Sequence, residues 1–241
     1  MNLEIISRVP ESESRPTPIL FVHGMWHAAW CWEEHFLPYF ARHGYATHAL
    51  SLRGHGGSDG RERLRWTSLA DYASDVRQVM GEIEPVPVLV GHSMGGMVVQ
   101  KVLETEPAPA AVLLASAPPG GLIPATLRSA GRHPWAFIRA IATLSLLPMV
   151  STPEMAREAF FSADMPGEEV IRYTSRLQDE SFRAYLDAMA LNLPRPRRVN
   201  APVLVLGAAD DGLISQTEVA ATARAYGTTA VSYTHLTLPT N

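Results

Sequence analysis

The sequence predicts an α/β fold: a mostly parallel, doubly wound sheet interrupted by a helical insertion. Three observations predict it. Apolar runs of strand length alternate with segments of helical period, the mark of a parallel sheet flanked by helices. Most of these runs are continuous rather than alternating, as strands buried on both faces require. One stretch, residues 120 to about 198, breaks the alternation and reads as helices separated by turns.

Each element follows from its residues. A first strand precedes the polar turn Pro10 to Pro18, and Ile19–Val22 supplies the second, stopping at His23-Gly24. Residues 45–50, 88–90, 111–114 and 203–206 are the next apolar runs. They end in Ser51-Leu52-Arg53-Gly54, Gly91, Ser116-Ala117-Pro118-Pro119 and Gly207. Trp32, Phe36, Leu37 and Phe40 recur at helical spacing up to Gly44. Leu69, Tyr72, Val76 and Met80 do the same, with Asp71 and Asp75 near the helix start. Met97, Val98, Val102 and Leu103 mark a helix that begins at Ser93, and Val219 and Ala223 another that Ser215 can cap. Within the interruption, residues 134–147 are apolar almost all round, and helices follow over 153–161, 168–177 and 181–191. The organisation expected is a core of residues 1–119 and 199–230 with a helical cap over 120–198.

Composition narrows the function. The 241 residues suit one such domain; 46% are hydrophobic and 18% charged, which is ample for a buried core. The net charge is −4 with no run of Lys or Arg, which argues against a nucleic-acid partner. No stretch approaches the ~18 apolar residues of a membrane span. No secretory signal is visible at the N-terminus, so a cytoplasmic address is expected. The single cysteine, Cys31, lies between Trp30 and Trp32 and reads as packing rather than chemistry. No metal cluster or dinucleotide fingerprint is present, so no cofactor is implied; the partner expected is a small-molecule substrate.

The chemistry concentrates in Gly91-His92-Ser93-Met94-Gly95-Gly96, between a strand and a helix. A chain turning that sharply holds its serine in a strained conformation and needs glycines two before and two after it. The serine oxygen then projects above the sheet edge, where the helix N-terminus favours a developing anion. Acyl transfer needs two N–H donors aimed at the carbonyl oxygen. Met94, directly after the serine, and Met25, whose loop Gly24 lets approach, are the candidates; His23 beside them reads as a structural hydrogen-bonder. The glycine-rich loop 53–60 lacks the ending of a phosphate-binding loop and reads as a tight turn shaping the site floor. Gly207-Ala208-Ala209-Asp210-Asp211-Gly212 follows a late strand, and its carboxylates suit the chain order Ser, Asp, His. Asp211 is the choice for the acid and Asp210 the alternative.

These motifs, HG, RGHGGS, GHSMGG and GxxDD in order over residues 18 to 215, resemble the α/β-hydrolase superfamily in its branch of small serine esterases and lysophospholipase-like enzymes. The segment HGMWHAAWCWEEHFLPYF resembles methyl-esterase and hydroxynitrile-lyase relatives. The resemblance implies a catalytic triad, an oxyanion hole and a helical cap over the pocket. A serine at position 93 argues against the dehalogenase and epoxide-hydrolase branches, which use an aspartate there. It implies carboxylic-ester hydrolysis through an acyl-enzyme. Trp135, Phe137, Ile141, Leu144, Leu146, Leu147, Phe160, Phe161 and Tyr185 in the cap favour small or apolar groups. Two alternatives stay open: lyase or cofactor-free haloperoxidase chemistry in the same pocket, and a non-catalytic ligand-binding protein.

The resemblance also implies a histidine base in a loop after the last strand. No such loop is recognisable. Residues 231–240, VSYTHLTLPT, resemble a translated sequencing adapter, so 231–241 are expected to be a non-native tail and the triad histidine to be missing. His235 would lie within a strand rather than in a loop. His92 should point away from Ser93, and His27 and His55 are candidates to line the pocket. The chain as written is therefore expected to be impaired.

Overall fold

A computed structural model describes residues 1–11 and 13–233. The apolar runs become seven strands: β1 (Ile5–Arg8), β2 (Ile19–Val22), β3 (Thr47–Leu50), β4 (Val88–His92), β5 (Ala111–Leu114), β6 (Val203–Ala208) and β7 (Ala230–Tyr233). They form one sheet in the order β1-β3-β2-β4-β5-β6-β7. Only the β1–β3 pairing is antiparallel. Successive strand residues face opposite sides, and helices cover both faces, so the sheet is doubly wound. Leu20, Leu50, Leu89 and Leu113 pack with Leu69, Val76 and Met97 on one face. Phe21, Ala49, Val90 and Leu114 pack with Trp32 and Leu37 on the other.

The helices of the core are α1 (Trp30–Glu33), α2 (Phe36–Arg42), α3 (Leu69–Met80) and α4 (Met94–Val102), with α10 (Gln216–Ala225) between β6 and β7. The single helix expected after β2 is thus two short ones. Ser68 and Ser215 begin α3 and α10 with full capping boxes, paired with Asp71 and Glu218. Cys31 is buried, and burial pushes its thiol up, as a packing role requires.

Between β5 and β6 the chain inserts α5 (Ile123–Arg132), α6 (Pro134–Thr143), α7 (Pro153–Phe160), α8 (Gly167–Thr174) and α9 (Phe182–Leu186). Two boundaries differ from the sequence expectation. The apolar run 134–147 stops being α-helical at Thr143 because Leu144 turns left-handed at φ 50°. The run 181–191 passes from α9 into a π-helical turn over Asp187–Leu191.

At the other end, β7 extends β6 in parallel from Val205↔Ala230 to Ala208↔Tyr233. Residues 231–233 of the stretch expected to be foreign therefore continue the sheet. His235 and the rest of that stretch lie outside the described residues.

Candidate active site

Ser93 sits where β4 becomes α4, at φ 51° and ψ −121°. A non-glycine residue so placed stores on the order of 1–3 kcal/mol and persists only when its surroundings dictate it. Here they do. The Ser93 amide donates to Leu114 O at 3.1 Å, while its carbonyl accepts from Gly96 N at 3.0 Å and Ala117 N at 2.9 Å. The flanking glycines are required by packing. A Cβ at Gly91 would stand 2.5 Å from Gly95 O, and one at Gly95 would overlap the carbonyls of Val22 and His23. The loop after β2 comes equally close: a Cβ at Gly24 would stand 2.9 Å from the Ser93 Cβ.

Two buried histidines shape that loop. His23 Nδ1 lies 2.8 Å from Gly24 O, and its Nε2 accepts from Leu52 N at 3.0 Å, so the ring carries its proton on Nδ1. His27 Nδ1 donates to Met25 O at 2.7 Å. His92 packs its ring against those of His27 and Trp32. Burial pushes all three imidazoles down, His23 well below its ordinary range, His27 to about 4 and His92 to about 3. They are neutral at pH 7 and serve as structure, as expected for His23. Among the described residues, the Met25 and Met94 amides donate to no protein acceptor. Two unpaired N–H groups beside one serine can receive an anionic oxygen.

Ser93 opens into a cavity of about 100 Å³. Met25 and Trp26 line it from the core, Leu122, Ala125, Phe137, Leu146, Met149 and Met155 from the insert, and Leu213 and Ile214 from the loop after β6. Its walls are largely apolar. Of the aromatic residues expected in the cap, Phe137 and Tyr185 line it. Phe160 instead packs on Trp26 and His27, and Trp135 is 80% exposed.

Asp211 lies at the end of that loop, half-buried, with Oδ1 accepting from Leu213 N at 2.7 Å and Ile214 N at 2.9 Å. Asp210 is exposed. Burial pushes the Asp211 carboxyl up, and the two amides only partly offset this. The insert holds the loop. Arg128 Nη2 donates to Leu213 O and to Glu218 Oε2, both at 2.6 Å, and Arg132 Nη1 donates to Gly212 O at 2.9 Å.

Two expectations fail. His27 and His55 are buried and do not line the cavity. Loop 53–60 does not form its floor either. Arg53 turns away to grip buried Asp75 with Nη2 to Oδ1 at 2.6 Å, and His55 Nε2 faces Glu180 Oε2 at 3.4 Å in the core. In their place the insert contributes polar residues that the sequence did not flag. Arg132, His133 and Glu158 line the cavity, and His133 Nε2 bonds Glu158 Oε2 at 2.7 Å. They lie far from Ser93 in sequence, and no local pattern marks them.

A family model described as "Alpha/beta hydrolase family" matches residues 19–238. The chain is 27% identical over 213 residues to a pyrethroid hydrolase of Sphingobium wenxiniae, a match spanning 82% of this chain and 72% of that protein. It is 32% identical over 98 residues to methyl jasmonate esterase 1 of Vitis vinifera, a match that spans 39% of this chain and only 36% of the esterase. The crystal structure of a bromoperoxidase from Bacillus anthracis superposes with a TM-score of 0.72 at 17% identity, over 95% of this chain and 86% of that one. At that identity the likeness is one of fold.

Proposed function

The chain belongs to the α/β-hydrolase family, and on that premise we propose that it is a serine hydrolase of carboxylic esters in which Ser93 is the nucleophile. One observation carries the reading: Ser93 is held at positive φ on a strand-to-helix turn, facing an apolar cavity, with the Gly24 loop against it. Its hydroxyl would attack the acyl carbon. The Met25 and Met94 amides would take the carbonyl oxygen as it becomes an oxyanion. The alcohol would leave with a proton, and water would then release the acid from the acyl-enzyme. The insert would act as the cap, and its apolar wall suits small or apolar esters. The names of the pyrethroid hydrolase and the methyl jasmonate esterase support an ester substrate.

Asp211, rather than exposed Asp210, would orient the histidine base. Among the described residues no histidine hydrogen-bonds Ser93 or Asp211, and His235 lies outside them. With no base in place, both the attack by Ser93 and the release of the acid should be slow. Treatment with a fluorophosphonate, followed by peptide mapping, tests the assignment. Slow labelling at Ser93, lost in Ser93→Ala, supports it; labelling elsewhere, or no labelling of a folded chain on prolonged treatment with imidazole added as a base, overturns it. A panel of p-nitrophenyl esters of rising acyl length then reads the cavity's preference.

A further inference from the structure

We propose that the outer face of α6 is a docking surface for an anionic lipid bilayer, with the helix lying in the plane of the interface. The proposal does not depend on the chemistry at Ser93. A helix apolar all round is ordinarily buried on all sides. α6 is buried on one side only, where Ala140 enters the core and Phe137 lines the cavity. On the other side Trp135, Ile138 and Ile141 are 80%, 54% and 50% exposed, and Leu127 of the neighbouring α5 is 68% exposed. The three side chains on α6 make an apolar surface of the kind that marks an interaction site, and Leu127 adds an exposed apolar side chain on the neighbouring helix.

Charge selects the partner. No Asp or Glu occurs anywhere from residue 107 to 153, while Arg128, Arg132 and Arg139 do, in a chain whose net charge is −4. Arg128 is engaged with Glu218 and Leu213 O, and Arg132 lines the cavity and donates to Gly212 O, which leaves Arg139 as the arginine of this stretch whose side chain has no partner among the described residues. Arg139 is exposed beside Trp135 and Ile138 on the outer face. Arg139 beside a Trp/Ile face fits the headgroup and acyl boundary of an anionic bilayer, where an indole can bury its ring and keep its N–H wet. A second copy of the chain docking face to face would bring like-charged Arg139 residues together, which disfavours self-association. At ten residues α6 is too short to cross a bilayer, so it can only lie on one.

Co-sedimentation of the full chain with vesicles tests this, using phosphatidylcholine alone and phosphatidylcholine with phosphatidylglycerol. Binding to the anionic vesicles is expected to be about fivefold tighter and to fall with added salt. Ile138→Glu and Arg139→Glu sit on exposed positions and should leave the thermal melt unchanged while weakening binding roughly fivefold or more. The Trp135 contribution reads out as a fluorescence blue shift lost in Trp135→Phe. Equal partition onto both vesicle types, no binding to either, or undiminished binding by Ile138→Glu overturns the proposal. So does a dimer in sedimentation that Ile138→Glu dissociates, which would assign the face to a second copy.

Discussion

The two ends of the cavity are built by different means. At the serine end, position is fixed by the backbone. Four amide–carbonyl bonds clamp Ser93, glycines at 91 and 95 admit neighbouring carbonyls, and buried neutral histidines set the Gly24 loop. At the acid end, position is fixed by long side chains from another part of the chain. Arg128 and Arg132 reach from α5 to the carbonyls of Leu213 and Gly212. The contrast teaches that the proposed nucleophile is held by local backbone bonds and the proposed acid's loop by side chains from a distant segment. Substitutions at the first end should be all-or-none, and those at the second graded.

The largest effect expected is that of Ser93→Ala, which should abolish covalent labelling; in a chain with a histidine base in place it should also lower ester turnover by ~10⁴ or more, as loss of one member of a working triad does. A chain that hydrolyses p-nitrophenyl esters equally well without this hydroxyl would remove the serine end from the chemistry altogether. Next is Gly95→Ala. Its new methyl overlaps the carbonyls of Val22 and His23, so about 2–3 kcal/mol of stability should be lost in denaturant titration. A neutral result would mean that the turn is not packing-limited.

The two ends should also differ in acid. His23, His27 and His92 have folded-state values below their ordinary one, so the unfolded chain binds more protons. Their contribution is complete above about pH 6.5 and is lost as pH falls toward the lowered values, near 4 for His27 and 3 for His92. Melting temperature should therefore drop steeply between pH 6.5 and 4. His27→Gln should flatten part of that slope; an unchanged slope would show that His27 is not buried neutral.

At the acid end, Arg132→Ala and Arg128→Ala should each lower stability by about 1 kcal/mol, since each removes a charged donor at a partly exposed position. Any effect on activity should be graded, and Arg128→Lys should recover part of it. The smallest change is expected from Asp211→Asn. Burial raises the Asp211 value, so its ionised form destabilises the fold once pH exceeds that value. The amide keeps an oxygen for Leu213 N and Ile214 N and carries no charge. Asp211→Asn should thus raise the melting temperature slightly at pH 7 while lowering esterase activity. A fall in melting temperature would contradict a desolvated carboxylate here.

The same division governs what could be read from the residues alone. The strand run 88–90, the glycines at 91 and 95 and the helix period after Ser93 are all local. Together they gave the fold, the serine turn and the two candidate amides, because a tight strand-to-helix turn constrains residue types within a few positions of itself. The neighbouring turn Gly212-Leu213-Ile214 singles out Asp211 over Asp210 in the sequence; in the structure Asp211 is half-buried and Asp210 exposed. The roles of Arg128, Arg132, His133 and Glu158 left no such trace. Nor did the burial of His27 and His55, or the exposure of an outer face on α6. These depend on how the insert packs over the sheet, and contacts across 80 or more residues, such as that from Arg132 to Gly212, leave no periodic signal. The sequence determined where the backbone must bend, since bending selects glycine and serine locally. Only the tertiary structure decided which distant side chains meet across the cavity, since many residue types can satisfy a carbonyl or cover a wall.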